Sequence, residues 1–284
     1  MIKPLLLSFV FLLFISATHA AALPPHYPVP GGIAVVDLNT QHRPHRVLYK
    51  KRKVLLTQNN NNWYAIVGLS LATPVGKKSL SVINKSKSRP KKIDFIVKDK
   101  KYKTQHITIK NTRKVNPYKK DLQRIGREKK RILAALKTWS DKEQVPLQFS
   151  LPVAGRFSSP FGLKRFYNKQ PRKPHSGLDI AASEGTPIRA PAAGTIINTG
   201  NYFFNGNTIF IDHGQGLITM YCHMNHIDVK AGQSVKAGEQ IGLIGKTGRV
   251  TGPHLHWAVS LNNARIEPKL LLPRQYQLEL DAEL

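Results

Sequence analysis

The sequence predicts a mainly β chain: a small β-sandwich-like domain in front, a basic linker helix, and an antiparallel β-sheet domain behind. Three observations predict it. Short apolar or alternating runs recur between turn-forming segments from Ile33 to about Ile109. The apolar spacing changes to three- and four-residue steps over 118–140. From Leu151 onward strand-like runs return, punctuated by glycine turns. Several short strands at that spacing indicate stacked sheets, and the changed period indicates an amphipathic helix.

The chain has 284 residues and 41% hydrophobic content, so one or two domains are expected, each with its own core. Met1-Ile2-Lys3 is a short positive start, Leu5 to Ile15 is an apolar stretch, and small residues follow at Ala17 and Ala20 to Ala22. That is the layout of an export signal over 1–22, too short to span a bilayer comfortably. No second long apolar run follows, so no transmembrane anchor is expected after cleavage, and the destination is the periplasm or cell envelope.

The front domain is expected over 23–112. Its strand candidates include Val54-Leu55-Leu56, Trp63 to Leu69, Leu80-Ser81-Val82, Ile93 to Val97 and His106-Ile107-Thr108-Ile109. Turns are expected at Asn59 to Asn62, at Thr73-Pro74-Val75-Gly76 and at Lys87-Ser88-Arg89-Pro90. No cluster of His, Cys or carboxylates occurs there. The basic helical linker is expected over 113–148. Leu122, Ile125, Ile132, Leu133, Leu136 and Trp139 form its apolar face, with Lys119, Lys120, Arg124, Arg127, Lys129, Lys130 and Arg131 opposite.

Formal net charge is +28, from 44 Lys+Arg and 16 Asp+Glu. Between Lys77 and Arg131 stand 21 basic and four acidic residues, a local balance of +17. Such an excess fits an anionic partner. Export disfavours nucleic acid and leaves an acidic envelope polymer or membrane surface. Cys222 is the single cysteine, so no intramolecular disulfide can form, and it reads as a small buried apolar residue beside Ile218 and Met220.

The domain over 149–284 carries the chemistry. His254 and His256 are two apart, so on a strand both imidazoles face one way while Leu255 and Trp257 face the other. The same alternation puts Thr219, Tyr221 and His223 together. Asp179 follows His175 by four residues in a loop entering a strand. His213, between Asp212 and Gly214, reads as a structural turn residue. Two histidines and one aspartate would hold a divalent metal and leave a coordination position for water. The remaining two histidines would serve as proton acceptor and donor. Zinc suits this set; two histidines and a carboxylate also bind non-haem iron, though such sites usually separate His and Asp by one residue.

Residues from about Val153 to Pro273 resemble the lysostaphin-type (LytM) zinc metallopeptidases. The resemblance is carried by Arg156 to Gly162, His175-Ser176-Gly177-Leu178-Asp179-Ile180, Gly185 to Ala190, Ile211-Asp212-His213-Gly214, Tyr221-Cys222-His223-Met224 and Thr247 to Trp257. It implies that His175, Asp179 and His256 bind Zn2+ and that His223 and His254 are the catalytic pair. It further implies cleavage of peptide cross-links in peptidoglycan, with D-alanyl–diaminopimelate bonds the expected target in a Gram-negative source. The alternative is a non-catalytic activator of other wall hydrolases, a class expected to lack some of these five residues. One departure from the family pattern is Tyr202-Phe203-Phe204-Asn205-Gly206-Asn207, where many relatives carry Gly-Tyr-Gly-Asn. Another is the charged insert from Lys164 to Lys173.

Overall fold

A computed structural model describes residues 22–85 and 89–283, with side chains through 280. The export signal expected over 1–22 lies outside the described residues except for Ala22, as do two positions of the turn at 87–90. Among the described residues, no helix is long and apolar enough to cross a membrane.

The front half is two stacked sheets. Strand Asn62–Gly68 lies between Ile33–Asp37 and Leu55–Asn59, all antiparallel. The second sheet runs Arg52–Lys53, Arg46–Tyr49, Gly76–Ile83, Lys91–Val97. Ala34, Val36, Ala65 and Val67 from the first sheet meet Val47, Leu80, Val82 and Phe95 from the second.

The first sheet is buried on both faces. Alternation turns Ile33, Leu55 and Ile66 away from the sandwich and into the core of the back half, where each is fully buried. Each such buried side chain contributes about 1.5–3 kcal/mol. Polar clasps reinforce the contact. Asn262 accepts the Gly68 N–H at 2.6 Å and donates to the Gly68 carbonyl at 3.0 Å. Gln215 does the same for Leu56, at 2.9 and 3.2 Å. A Cβ on Gly68 would stand 2.6 Å from the Leu261 carbonyl oxygen, so the approach requires glycine. The front half thus has its own core between its sheets and shares a second one with the back half.

The final strand of the front half is Thr104–Ile107, two residues earlier than expected, because it pairs in parallel with Lys164–Tyr167. The charged insert is therefore ordered. Lys164–Tyr167 and Gln170–Pro171 form a hairpin, and Asn168 and Lys169 turn it at φ 49° and 65°.

The linker helix is Lys119–Leu136. It starts where the Asp121 carboxylate accepts the Tyr118 N–H at 3.1 Å. It stops short of 140, and Trp139 leaves it to donate to Asp141 at 2.6 Å. Its buried side is also rotated from the expected one. Ala135 and Leu136 pack down, whereas Leu122 and Leu133 are 55% and 40% exposed. Arg124 and Arg131 do not face solvent freely: they donate to Asn201 and Thr199 carbonyls at 3.3 and 3.1 Å. Glu128 accepts the Phe203 N–H at 2.7 Å. Ile132, Ala135 and Leu136 thus pack on the sheet, and Arg124, Glu128 and Arg131 add polar contacts alongside.

The back half is built on an eight-stranded antiparallel sheet, with a smaller one of Pro187–Arg189, Gln240–Leu243 and His226–Ile227. The order of the larger sheet is Ser234–Val235, Gly194–Tyr202, Gly206–Gly214, Leu217–Met224, His254–Leu261, Leu178–Ala181, Arg156–Ser159, with Ala264–Ile266 beside His254–Leu261. One face sends Ile209, Ile211, Tyr221, Leu255 and Trp257 into the shared core. The other sends Phe210, Met220, Cys222 and Ala258 under the helix. Burial pushes the Cys222 thiol up to about 12, which fits an inert apolar role. His213 is a strand residue rather than a turn residue. It is buried, with Nδ1 2.9 Å from the Ala193 carbonyl and Nε2 2.8 Å from Thr219 Oγ1. Burial lowers its pKa to about 4.

Candidate metal centre

Two neighbouring strands fix most of the site. In the pairing of Leu178–Ala181 with His254–Leu261, Asp179 lies directly opposite His256. Opposed residues of an antiparallel pair share a face, so carboxylate and imidazole meet. His175 arrives from the loop before the strand. Gly177 makes room for the His256 ring, since a Cβ there would stand 2.7 Å from it.

Three donor atoms converge. His175 Nε2 and His256 Nδ1 are 3.0 Å apart, and each is close to Asp179 Oδ1, at 2.9 and 2.7 Å. His175 Nδ1 lies 2.6 Å from the Pro160 carbonyl, which can only accept, so its Nδ1 carries the proton and Nε2 presents a lone pair. Two ring nitrogens and a carboxylate oxygen, with at most one proton to share among them, form a donor set that a cation satisfies. These three are the candidate metal group among the described residues. Burial lowers the His256 pKa to about 4 against the pull of Asp179, which keeps the ring neutral as a ligand must be. Burial alone would raise the Asp179 carboxyl, but the His175 and His256 imidazoles outweigh it and hold it well below the usual carboxylate range.

His223 and His254 stand beside this group. Their ring centroids are 4.8 Å apart, and His223 is 6.0 Å from His256. His254 is where strand alternation predicts it, on the face opposite buried Leu255 and Trp257. His223 is not. Tyr221 lies opposite Trp257 in the apolar core, so regular alternation would bury His223 there too. Instead His223 has φ 65°, and this left-handed residue turns its ring to the metal side. The expected common face for Thr219, Tyr221 and His223 is corrected accordingly. Both rings are oriented by carbonyls: His223 Nδ1 lies 2.8 Å from Thr247 O and His254 Nδ1 2.9 Å from Gly252 O. Each therefore carries its proton on Nδ1 and keeps Nε2 as the free acceptor. Burial, then the neighbouring His254 and His256, push the His223 pKa well below its ordinary value.

Sequence reasoning missed Arg165. Its Nη2 donates to Asp179 Oδ2 at 2.8 Å, inside the site. The segment Tyr202 to Asn207 packs against the linker. Tyr202 and Phe203 are buried, and the rings of Phe203 and Phe204 lie under Lys114 and Arg249 at 4.0 and 4.6 Å. The departure from the family pattern thus seats the linker.

Comparison with known proteins agrees with this geometry. Residues 173–268 match the peptidase family M23 model, and residues 26–100 match the M23 N-terminal domain. A Pseudomonas aeruginosa crystal structure described as a peptidase M23 is 43% identical with a TM-score of 0.72, covering 86% of this chain and 94% of that one. The DD-carboxypeptidase/endopeptidase Mpg of Neisseria meningitidis is 41% identical over 116 residues, 41% of this chain and 27% of the relative. The peptidoglycan DD-endopeptidase ShyA of Vibrio cholerae is 45% identical over 103 residues, 36% of this chain and 24% of the relative. The chain thus spans about a quarter of the length of these curated relatives.

Proposed function

The chain belongs to peptidase family M23, and from that premise we propose that it is an exported zinc endopeptidase that cuts peptide cross-links of bacterial peptidoglycan. The observation that carries the reading is the convergence of all five polar residues on one side of the sheet, three with ligand atoms together and two with free Nε2 acceptors. Mpg and ShyA are named as DD-endopeptidases, which supports a DD cross-link as the target; we assign the D-alanyl–diaminopimelate bond within that class.

His175 Nε2, Asp179 Oδ1 and His256 Nδ1 would hold the zinc. When bound, the metal would lower the pKa of a water to about 7 and polarise the scissile carbonyl. The other steps belong to the chain. Thr247 and Gly252 carbonyls orient His223 and His254, so each offers an unprotonated Nε2. One takes the proton of the nucleophilic water. The imidazolium so formed would return that proton to the leaving amine, while the other ring helps to orient the water. A non-catalytic activator would have no use for this complete set.

Lys119, Lys120, Arg127, Lys129 and Lys130 are exposed on the linker helix. We assign this surface to loose contact with an anionic envelope polymer or membrane, in keeping with an export signal over 1–22. The contact should weaken with salt.

Incubation of the purified chain with cross-linked muropeptides tests the activity. Dimers should become monomers, chelation should stop the conversion, and zinc should restore it. Dimers left intact by zinc-loaded protein would refute the proposal.

A further inference from the structure

We infer that Arg165 is a positioning residue for Asp179, and that Gln105 of the front half holds Arg165 in that role. The inference rests on the metallopeptidase reading and deepens it. The two oxygens of Asp179 are divided. Oδ1 faces the ligand nitrogens of His175 and His256 at 2.9 and 2.7 Å, while Oδ2 accepts from Arg165 Nη2 at 2.8 Å. The pair is enclosed, with side-chain exposures of 12% and 9%, so it is not a solvated surface contact.

Every arm of the guanidinium is used. Nε donates to Gln105 Oε1 at 3.1 Å, Nη1 to the Tyr167 hydroxyl at 3.2 Å, and Nη2 also to Ser159 Oγ at 2.9 Å. Ser159 in turn donates to Gln105 at 3.3 Å. The backbone sets this up. The parallel pairing of Thr104–Ile107 with Lys164–Tyr167 places Gln105 in register with Arg165. The front half therefore reaches the group behind the metal ligand.

A carboxylate with both oxygens free can take a metal through two atoms. Holding Oδ2 leaves a single oxygen for the metal and preserves the open position that a hydrolytic site needs. The planar fork is required, because a lysine ammonium cannot reach Asp179, Gln105, Ser159 and Tyr167 in one fixed geometry.

The test uses the full chain and its Arg165→Met, Arg165→Lys and Gln105→Ala variants, each loaded with Co(II) in place of zinc. The visible absorption of Co(II) weakens as its coordination number rises. Arg165→Met should keep the metal, show a weaker band, and lose about 10- to 100-fold in kcat with KM little changed. Arg165→Lys should recover part of both, and Gln105→Ala should shift both in the same direction by less. A band for Arg165→Met that superimposes on the parent's overturns the inference, as does loss of metal binding by that variant. Should Arg165→Met not fold, the half-buried Gln105→Ala decides, and an unchanged band and kcat overturn it. A parent that binds no metal and cleaves nothing would instead refute the metallopeptidase reading itself.

Discussion

Over its first four residues the strand His254–Leu261 alternates between site and core, before Ala258 brings the site face into the apolar cluster under the helix. His254 and His256 belong to the polar site, whereas Leu255, Trp257 and Val259 are fully buried in the core shared with the front sheet. Period-two geometry thus separates chemistry from stability along a single segment. Substitutions on one face should remove activity from a folded protein. Those on the other should unfold a protein whose site residues are unchanged.

The largest effect is expected on the polar face. Asp179→Ala should lower muropeptide cleavage by about ten-thousand-fold, since it removes both a ligand and the link to Arg165. Its circular dichroism should stay that of the parent. Next, His223→Ala should lose about 10²- to 10⁴-fold in kcat while retaining bound metal, measured side by side in the same preparation. On the apolar face, Trp257→Ala should cost about 3–5 kcal/mol in denaturant unfolding. Ile66→Ala, in the front sheet, should cost about 2–5 kcal/mol in the same cooperative transition if the halves share one core. A separate early transition for the front half would break the comparison.

The last effect is a pH dependence set by His213, which is buried outside the site. The His213 pKa falls from 6.5 to about 4 on folding. The folded state therefore disfavours the proton that the unfolded chain accepts. This group leaves stability unchanged above pH 6.5 and reduces it progressively as pH falls from 6.5 to about 4, by on the order of 3 kcal/mol in all. Unfolding at pH 7 and pH 4.5 should show a flatter dependence for His213→Gln than for the parent.

Much of this was legible in the sequence for a physical reason. Alternation in Thr-Gly-Pro-His-Leu-His-Trp reports the strand faces directly, and the sheet does the rest by pairing Asp179 with His256. What was hidden depends on events that periodicity does not encode. The φ of 65° at His223 reverses its face, and nothing in Met-Tyr-Cys-His-Met marks it except the family motif. Arg165 looked like one more cation in a charged insert. Its contact needs a hairpin, a parallel partner and Gln105 from sixty residues earlier. The shared core left a trace that could have been read: Ala65-Ile66-Val67 is a continuous apolar run, as strands buried on both faces require. The linker helix was found by its period, but the polar contacts of Arg124, Glu128 and Arg131 with the neighbouring strand were not.

The most direct test of the divided strand is the metal content of the chain purified without added metal, measured beside His256→Ala. We expect about one zinc per parent chain and almost none in a folded His256→Ala. A parent that carries iron or no metal, or a His256→Ala variant with a full zinc complement, would contradict the account.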